Sequence, residues 1–214
     1  LGAFIISEWT SIDTLYDQHL RNGTPLPPPA AAGKELFFGD AGCSACHSGP
    51  LFSDRAFRAL GLPAFGPGRT RRFDPIPRDV GRMGKSDRLE DAYRFKTPSL
   101  RNVAVTAPYG HNGAYPTLER MIKHHLDPLA ERNAWQRSDA ALPPAPHIAA
   151  IDFVIQSDTR EMARQSSVLD IDIPARSQTE IDQIIAFLET LTDPSPYDRP
   201  LGRPETVPSG LPVD

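Results

Sequence analysis

A mainly α fold, with short helices separated by long Pro- and Gly-rich loops, is what this sequence predicts, on three observations. Apolar residues recur at helical spacing in a few short segments, notably Leu118, Met121, Ile122 and His125, and Ile181, Ile184, Ile185 and Leu188. The 214 residues include 23 prolines, clustered at 25–29, 63–77, 143–146 and 194–212, so much of the chain must be loop. The only two cysteines stand together in Cys43-Ser44-Ala45-Cys46-His47.

Cys-x-x-Cys-His is the pattern by which two thiols attach haem covalently while the following histidine binds its iron. A thioredoxin-like redox pair would need a βαβ context, and a structural zinc site would need further Cys or His at ligand spacing. The sequence has neither. Cys43, Cys46 and His47 therefore define a cytochrome c-like domain built around one covalently bound haem c, with His47 as an iron ligand.

Composition excludes other classes. A formal net charge of -4 gives no electrostatic footprint for nucleic acid, and no apolar run approaches membrane-spanning length. Bacterial c-type cytochromes mature outside the cytoplasm, which predicts a periplasmic location. The sequence shows no signal peptide, which reads as processing or trimming.

Along the chain, Leu1-Gly2-Ala3-Phe4-Ile5-Ile6 resembles the middle of a buried helix that began earlier. Ile12, Leu15, Tyr16 and His19 then mark a second helical segment, broken at Asn22-Gly23. His19 reads as a hydrogen-bonded core histidine. Residues 1–30 are thus a helical arm and linker, continuing from a missing N-terminal half. The haem domain follows at 31–195, opening with a short helix at 31–38 that delivers Cys43. Residues 48–80 read as loops over a haem face, with Arg69, Arg71 and Arg72 as a solvated charge run in preference to partners of the haem propionates. An insertion at 128–167 contains Trp135, the exposed His147 and short helices near 148–155 and 159–166. The last helix starts at a Ser177-x-x-Glu180 capping box, stops at Pro194 and packs on the domain's first helix. Residues 196–214 form an extended Pro-rich tail.

A second iron ligand can be sought by helical geometry. Thr117 is a suitable N-cap after Pro116, and Leu118, Met121, Ile122 and His125 then share one face. At about 100° per residue, His125 lies near the centre of that stripe and His124 about a quarter turn away, toward the rim. His125 is the better candidate, with Met121, one turn earlier on the same face, as its main rival.

The strings Leu36-Phe37-Phe38-Gly39, Cys43-Ser44-Ala45-Cys46-His47-Ser48-Gly49-Pro50, Lys96-Thr97-Pro98-Ser99-Leu100-Arg101-Asn102, Thr106-Ala107-Pro108-Tyr109-Gly110-His111-Asn112-Gly113 and Thr117-Leu118-Glu119 carry a family resemblance. In order and spacing, over about 4–197, the chain resembles the C-terminal haem domain of the bacterial di-haem cytochrome c peroxidases and their amine-dehydrogenase-maturing relatives. By that resemblance, His125 stands where the peroxidases carry Met and the maturing enzymes carry Tyr. His for Met lowers the reduction potential, which departs from the family's high-potential His/Met electron store. The resemblance also implies that His111 packs near the haem edge and bonds a propionate, with a loop-anchoring hydrogen bond as the other reading. It places the carbonyls of Thr106 and Pro108 at a calcium site between two haem domains.

In the family, peroxide chemistry occurs at a second haem, on an N-terminal half with its own attachment motif. The expected function is therefore the electron-transfer haem half of a peroxidase-like oxidoreductase. It would pass electrons between a small electron-transfer protein or protein substrate and that second haem, held by an N-terminal half or companion chain. Two alternatives stand beside it: a free-standing single-haem electron carrier, and a chain in which His125 gives way and this haem itself meets peroxide.

Overall fold

Two helices pass each other so closely that one of them has no room for a side chain at the crossing. The computed structural model describes residues 11, 13–66, 78–140, 142, 145–147, 149, 151–194 and 210. The predicted helix at 1–6, the arginines at 69, 71 and 72, and the tail apart from Gly210 lie outside them. Helix α1 is Leu15–Asn22, capped by a Thr14/Asp17 box and ended by Gly23 at φ 71°. Helix α2 is Pro28–Phe38, with Pro in its first turn, where the missing N–H costs nothing. It begins earlier than the predicted 31–38 for that reason. The short helix α3 is Met83–Ser86. Next come α4, Leu118–Leu126, α5, Pro128–Ala134, and α6, Thr159–Ser167. Helix α7, Gln178–Glu189, starts at the predicted Ser177/Glu180 box.

Helix α7 packs on α2, as expected for the domain's last and first helices. At their crossing a Cβ on Gly33 would lie 1.8 Å from the Gln183 carbonyl oxygen. The close approach lets Phe37 and Phe187 meet at 5.1 Å between ring centroids, and Tyr16 of α1 meets Phe187 edge-on at 5.3 Å. Such pairs contribute about 0.5–1.5 kcal/mol each beyond the area they bury. Phe52, Ile184, Leu188 and Leu191 complete this cluster. Ile185, on the predicted face, is only half-buried, and Phe187 takes the central place.

A second cluster gathers Leu62, Phe65, Tyr109, Ala114, Tyr115 and Trp135. Trp135 stacks on Phe65 at 5.4 Å and its Nε1–H donates to the Ala114 carbonyl (2.7 Å). The described part of 48–80, residues 48–66 and 78–80, is loop apart from β1, Phe57–Arg58, which pairs antiparallel with β2, Phe95–Lys96. Two-residue strands are too short to show alternation in sequence. Within 128–167, α6 matches the predicted 159–166 helix, and His147 is exposed. The described part of 148–155 holds turns and the start of a 3-10 segment, Val154–Ser157, in place of the expected helix. Among the described residues no helix is long and apolar enough to cross a membrane.

Candidate haem site

The attachment motif lies on a single 3-10 turn, Cys43–Ala45, entered through Gly42 at φ 66°. Both cysteines are free thiols and half-buried. Burial pushes the Cys43 thiol up to about 11, against the opposing charge of Arg176. The Arg58 guanidinium faces the Cys46 sulfur and pairs with Asp54 at 2.7 Å.

His47 is oriented by the loop that follows it. Its Nδ1–H donates to the Phe52 carbonyl (3.0 Å), and the Pro98 carbonyl also acts on the ring. Phe52 sits at φ 52°, in the left-handed region, which a bulky residue adopts only when its surroundings enforce it. The enforcing contacts come from the Thr97–Arg101 stretch. Ser99 Oγ donates to the Leu51 carbonyl (2.7 Å), Arg101 Nε to the Pro50 carbonyl (2.7 Å), and Ser53 Oγ to the Thr97 carbonyl (2.8 Å). Arg101 is itself held by a two-pronged pair with Asp17 of α1, at 2.8 and 2.9 Å. Burial lowers the His47 pKa to about 4, further depressed by the His125 imidazole, so the ring is neutral at pH 7.

His125 is on α4, whose N-cap is Thr117 as expected, and lies near enough to act on His47. Its Nδ1–H donates to the Met121 carbonyl (2.8 Å), which leaves Nε2 without a hydrogen-bond partner among the described residues. Burial lowers its pKa as well. Each imidazole thus has Nδ1 bonded to a backbone carbonyl, the arrangement that fixes the tautomer with a lone pair on Nε2. Leu36, Leu100, Val103, Leu118 and Ile122 stay half-buried along the same cluster as Cys43, an apolar bed of the kind a porphyrin face requires. Free thiols, neutral imidazoles and an apolar bed fit a covalent haem.

The neighbouring histidine corrects an expectation. His124 does not point to the rim: it is fully buried, with Nδ1 2.9 Å from the Tyr115 hydroxyl and Nε2 2.8 Å from the Leu60 carbonyl. Helix α4 packs on two sides, Leu118 and Ile122 toward the first cluster and Leu118 and Met121 toward the second. A quarter turn from the stripe therefore still meets protein. Met121 contributes its carbonyl to His125, and its side chain packs in the second cluster. His19 is half-buried and hydrogen-bonded, Nδ1–H to the Thr24 carbonyl at 2.8 Å.

His111 stacks on Phe95 at 3.5 Å between ring centroids, with Nε2 3.4 Å from Asp79. It lines a small cavity of about 30 Å³ with Leu62, Tyr93 and Asn112. Thr106 and Pro108 are exposed, in the turn after the 3-10 segment Val103–Val105. Among the described residues no three His, Cys, Asp or Glu side chains cluster as a metal site. The sequence reading missed Phe52, Arg101 and Asp17. The Arg101 string was legible as a family signature, but not its link to Asp17.

A mainly α fold with a Cys-x-x-Cys-His turn defines the class: a cytochrome c-like protein that carries haem c. The chain is a homologue of the di-haem cytochrome c peroxidases and of MauG, matching their C-terminal haem domain at partial coverage. No family model matches it. It is 38% identical over 113 residues to the cytochrome c peroxidase Ccp of Escherichia coli (strain K12), over 52% of this chain and 23% of that protein. The methylamine utilization protein MauG of Paracoccus denitrificans (strain Pd 1222) is 28% identical over 199 residues, 87% of this chain and 48% of that one. A solved structure of a MauG-like protein associated with microbial copper homeostasis superposes with a TM-score of 0.59 at 27% identity, covering 86% of this chain and 52% of that one. The chain thus spans less than half the length of these two curated relatives.

Proposed function

We propose that this chain is the electron-transfer haem half of a di-haem cytochrome c peroxidase-like oxidoreductase of the bacterial periplasm. One haem c is attached at Cys43 and Cys46, with His47 and His125 as iron ligands. The observation that carries the reading is the pair of imidazoles near enough for His125 to depress the His47 pKa, each with Nδ1 committed to a carbonyl. Bound there, haem supplies reversible one-electron chemistry. The protein's part is to hold two Nε2 lone pairs in place, the first through the Phe52 loop and the second through the Met121 carbonyl. It also keeps water from the apolar bed. Two nitrogen ligands leave no open position, so peroxide chemistry belongs to a second haem on an N-terminal half or companion chain. The physiological partner is a small electron-transfer protein or a protein substrate. Calcium at the Thr106 and Pro108 carbonyls, and a propionate bond from His111, belong to the same reading.

The test is spectroscopic. The chain produced with haem attached should retain one haem after denaturation and show a low-spin ferric spectrum without a sulfur-to-iron band. His125→Ala should convert it toward high-spin, and an unchanged spectrum would sink the assignment. The isolated chain should turn over peroxide poorly and gain activity with its N-terminal half. Fast turnover alone would show that His125 gives way and that this haem meets peroxide, while no gain from the partner would leave a plain electron carrier.

A further inference from the structure

The two proposed iron ligands differ in what holds their hydrogen-bond acceptors. His125 donates to the Met121 carbonyl (2.8 Å), one turn back on its own helix, so that acceptor needs nothing beyond α4. His47 donates to the Phe52 carbonyl (3.0 Å), on a loop whose residue sits at φ 52°, a backbone conformation that does not hold itself. The direction of that carbonyl depends on ties from elsewhere in the fold.

Those ties are unequal. The loop closes on itself through the Phe52 N–H to the Gly49 carbonyl (3.0 Å) and the Ser53 N–H to the Ser48 carbonyl (2.8 Å). Ser99 and Ser53 add one neutral hydroxyl bond each, to the Leu51 and Thr97 carbonyls. Arg101 is the charged tie, and it reaches α1. Its Nε–H donates to the Pro50 carbonyl (2.7 Å), while Nη1 and Nη2 grip the two carboxylate oxygens of Asp17 (2.8 and 2.9 Å). Asp17 is fixed in turn by the hydroxyl (2.7 Å) and N–H (3.1 Å) of Thr14. The Arg101 and Asp17 side chains are 13% and 12% exposed, so this is not a solvated surface pair of small worth. A guanidinium presents its N–H groups in one rigid plane, and an ammonium cannot serve the Pro50 carbonyl and both carboxylate oxygens in that layout.

We infer that Arg101 and Asp17 are positioning residues that hold the haem at low reduction potential, by keeping the Phe52 carbonyl on the Nδ1–H of His47. The inference rests on the proposed haem site. A firm bond at Nδ1–H makes the imidazole a more basic ligand at Nε2, which favours ferric iron and lowers the potential. A slack bond does the reverse. Breaking the latch therefore raises the potential. A guanidinium acting only through its electric field gives a different pattern, because replacing it with another cation, or removing it together with the Asp17 charge, leaves the net charge near the haem unchanged.

The experiment compares the haem-loaded parent with Arg101→Lys, which keeps the cation, and with the double variant Asp17→Asn/Arg101→Gln, which removes both charges. Potentiometric titration followed by absorption should show the equilibrium shifted toward ferrous iron by about tenfold in each, or about 59 mV for one electron. Nitrogen-15 nuclear magnetic resonance of the ferrous chain should show the His47 Nδ1 proton exchanging with solvent at least tenfold faster in both, with the His125 Nδ1 proton unchanged. Glu161→Gln, which strips a buried partner from Arg78 far from this loop in sequence, serves as the control for general loss of stability and should move neither reading. Should one of the two latch variants fail to fold, the other carries the test. A ferric-to-ferrous equilibrium within twofold of the parent, unaltered exchange at His47, or an equal response in Glu161→Gln overturns the inference. The parent's own spectrum judges the haem site separately, since a high-spin or sulfur-bound haem is visible before any variant is compared.

Discussion

Asp17→Asn removes the charge that anchors Arg101 and, through it, the loop that orients His47. Burial works against ionisation of Asp17, but hydrogen bonds from Arg101 and Thr14 and the guanidinium charge outweigh it and bring the pKa from 3.8 to about 2. The side chain is only 12% exposed, so solvent screening discounts this little. A difference of that size corresponds to about 2 kcal/mol of native stability at neutral pH. For a chain of this length it predicts a drop in Tm of roughly 4–8 °C. The sign with pH follows from a folded pKa below the unfolded one. The stabilisation is complete above about pH 4 and is lost as pH falls through about 2. Thermal unfolding followed by circular dichroism at pH 7, 5, 3 and 2 should show the gap between parent and variant closing across that interval. A gap that stays constant down to pH 2, or none at pH 7, would refute the reasoning. The amide of the Asp17→Asn variant keeps the Thr14 bonds only in part, so the variant also reports on the α1 cap.

Three further outcomes follow from the packing. Gly33→Ala should cost about 3 kcal/mol or more, because its methyl would meet the Gln183 carbonyl backbone to backbone with nothing flexible to yield; urea unfolding measures it. Glu161→Gln should cost about 3 kcal/mol at neutral pH, since it strips a buried partner from Arg78; the same urea series would expose the error if the loss were under about 1 kcal/mol. Ser177→Ala should lose about 1 kcal/mol by removing the Oγ arm of the α7 capping box while the Ser177 N–H still reaches Glu180, and the deficit should be absent if that helix end is already frayed in the parent.

What the sequence made legible was local in the chain. The attachment turn, the Thr117 cap and the Ser177/Glu180 box each depend on residues within a few positions of one another. Helix α5 was missed although Asp127-Pro128 carries an N-cap followed by Pro at the first helical position, a signal obscured by the end of α4 at the same residue. His124 was misplaced because its burial depends on Leu60, 64 positions away, and a single stripe cannot show that a helix is covered on two sides. The Asp17–Arg101 pair spans 84 positions, and the left-handed turn at Phe52 follows from contacts with Ser99 and Arg101. Neither leaves a mark in local propensity.

The meeting of Gly33 with Gln183 has a consequence for how the domain is assembled. Residues 33 and 183 share one contact point, so nearly the whole haem-binding stretch leaves that point and returns to it. Cys43, Cys46 and His47 come well before α7, the helix that closes the core over Phe37 and Phe52. Contacts of such long sequence separation form late. Until α7 docks, the apolar cluster that Cys43 joins lacks Ile184, Phe187 and Leu188, and the attachment turn has no closed core beneath it.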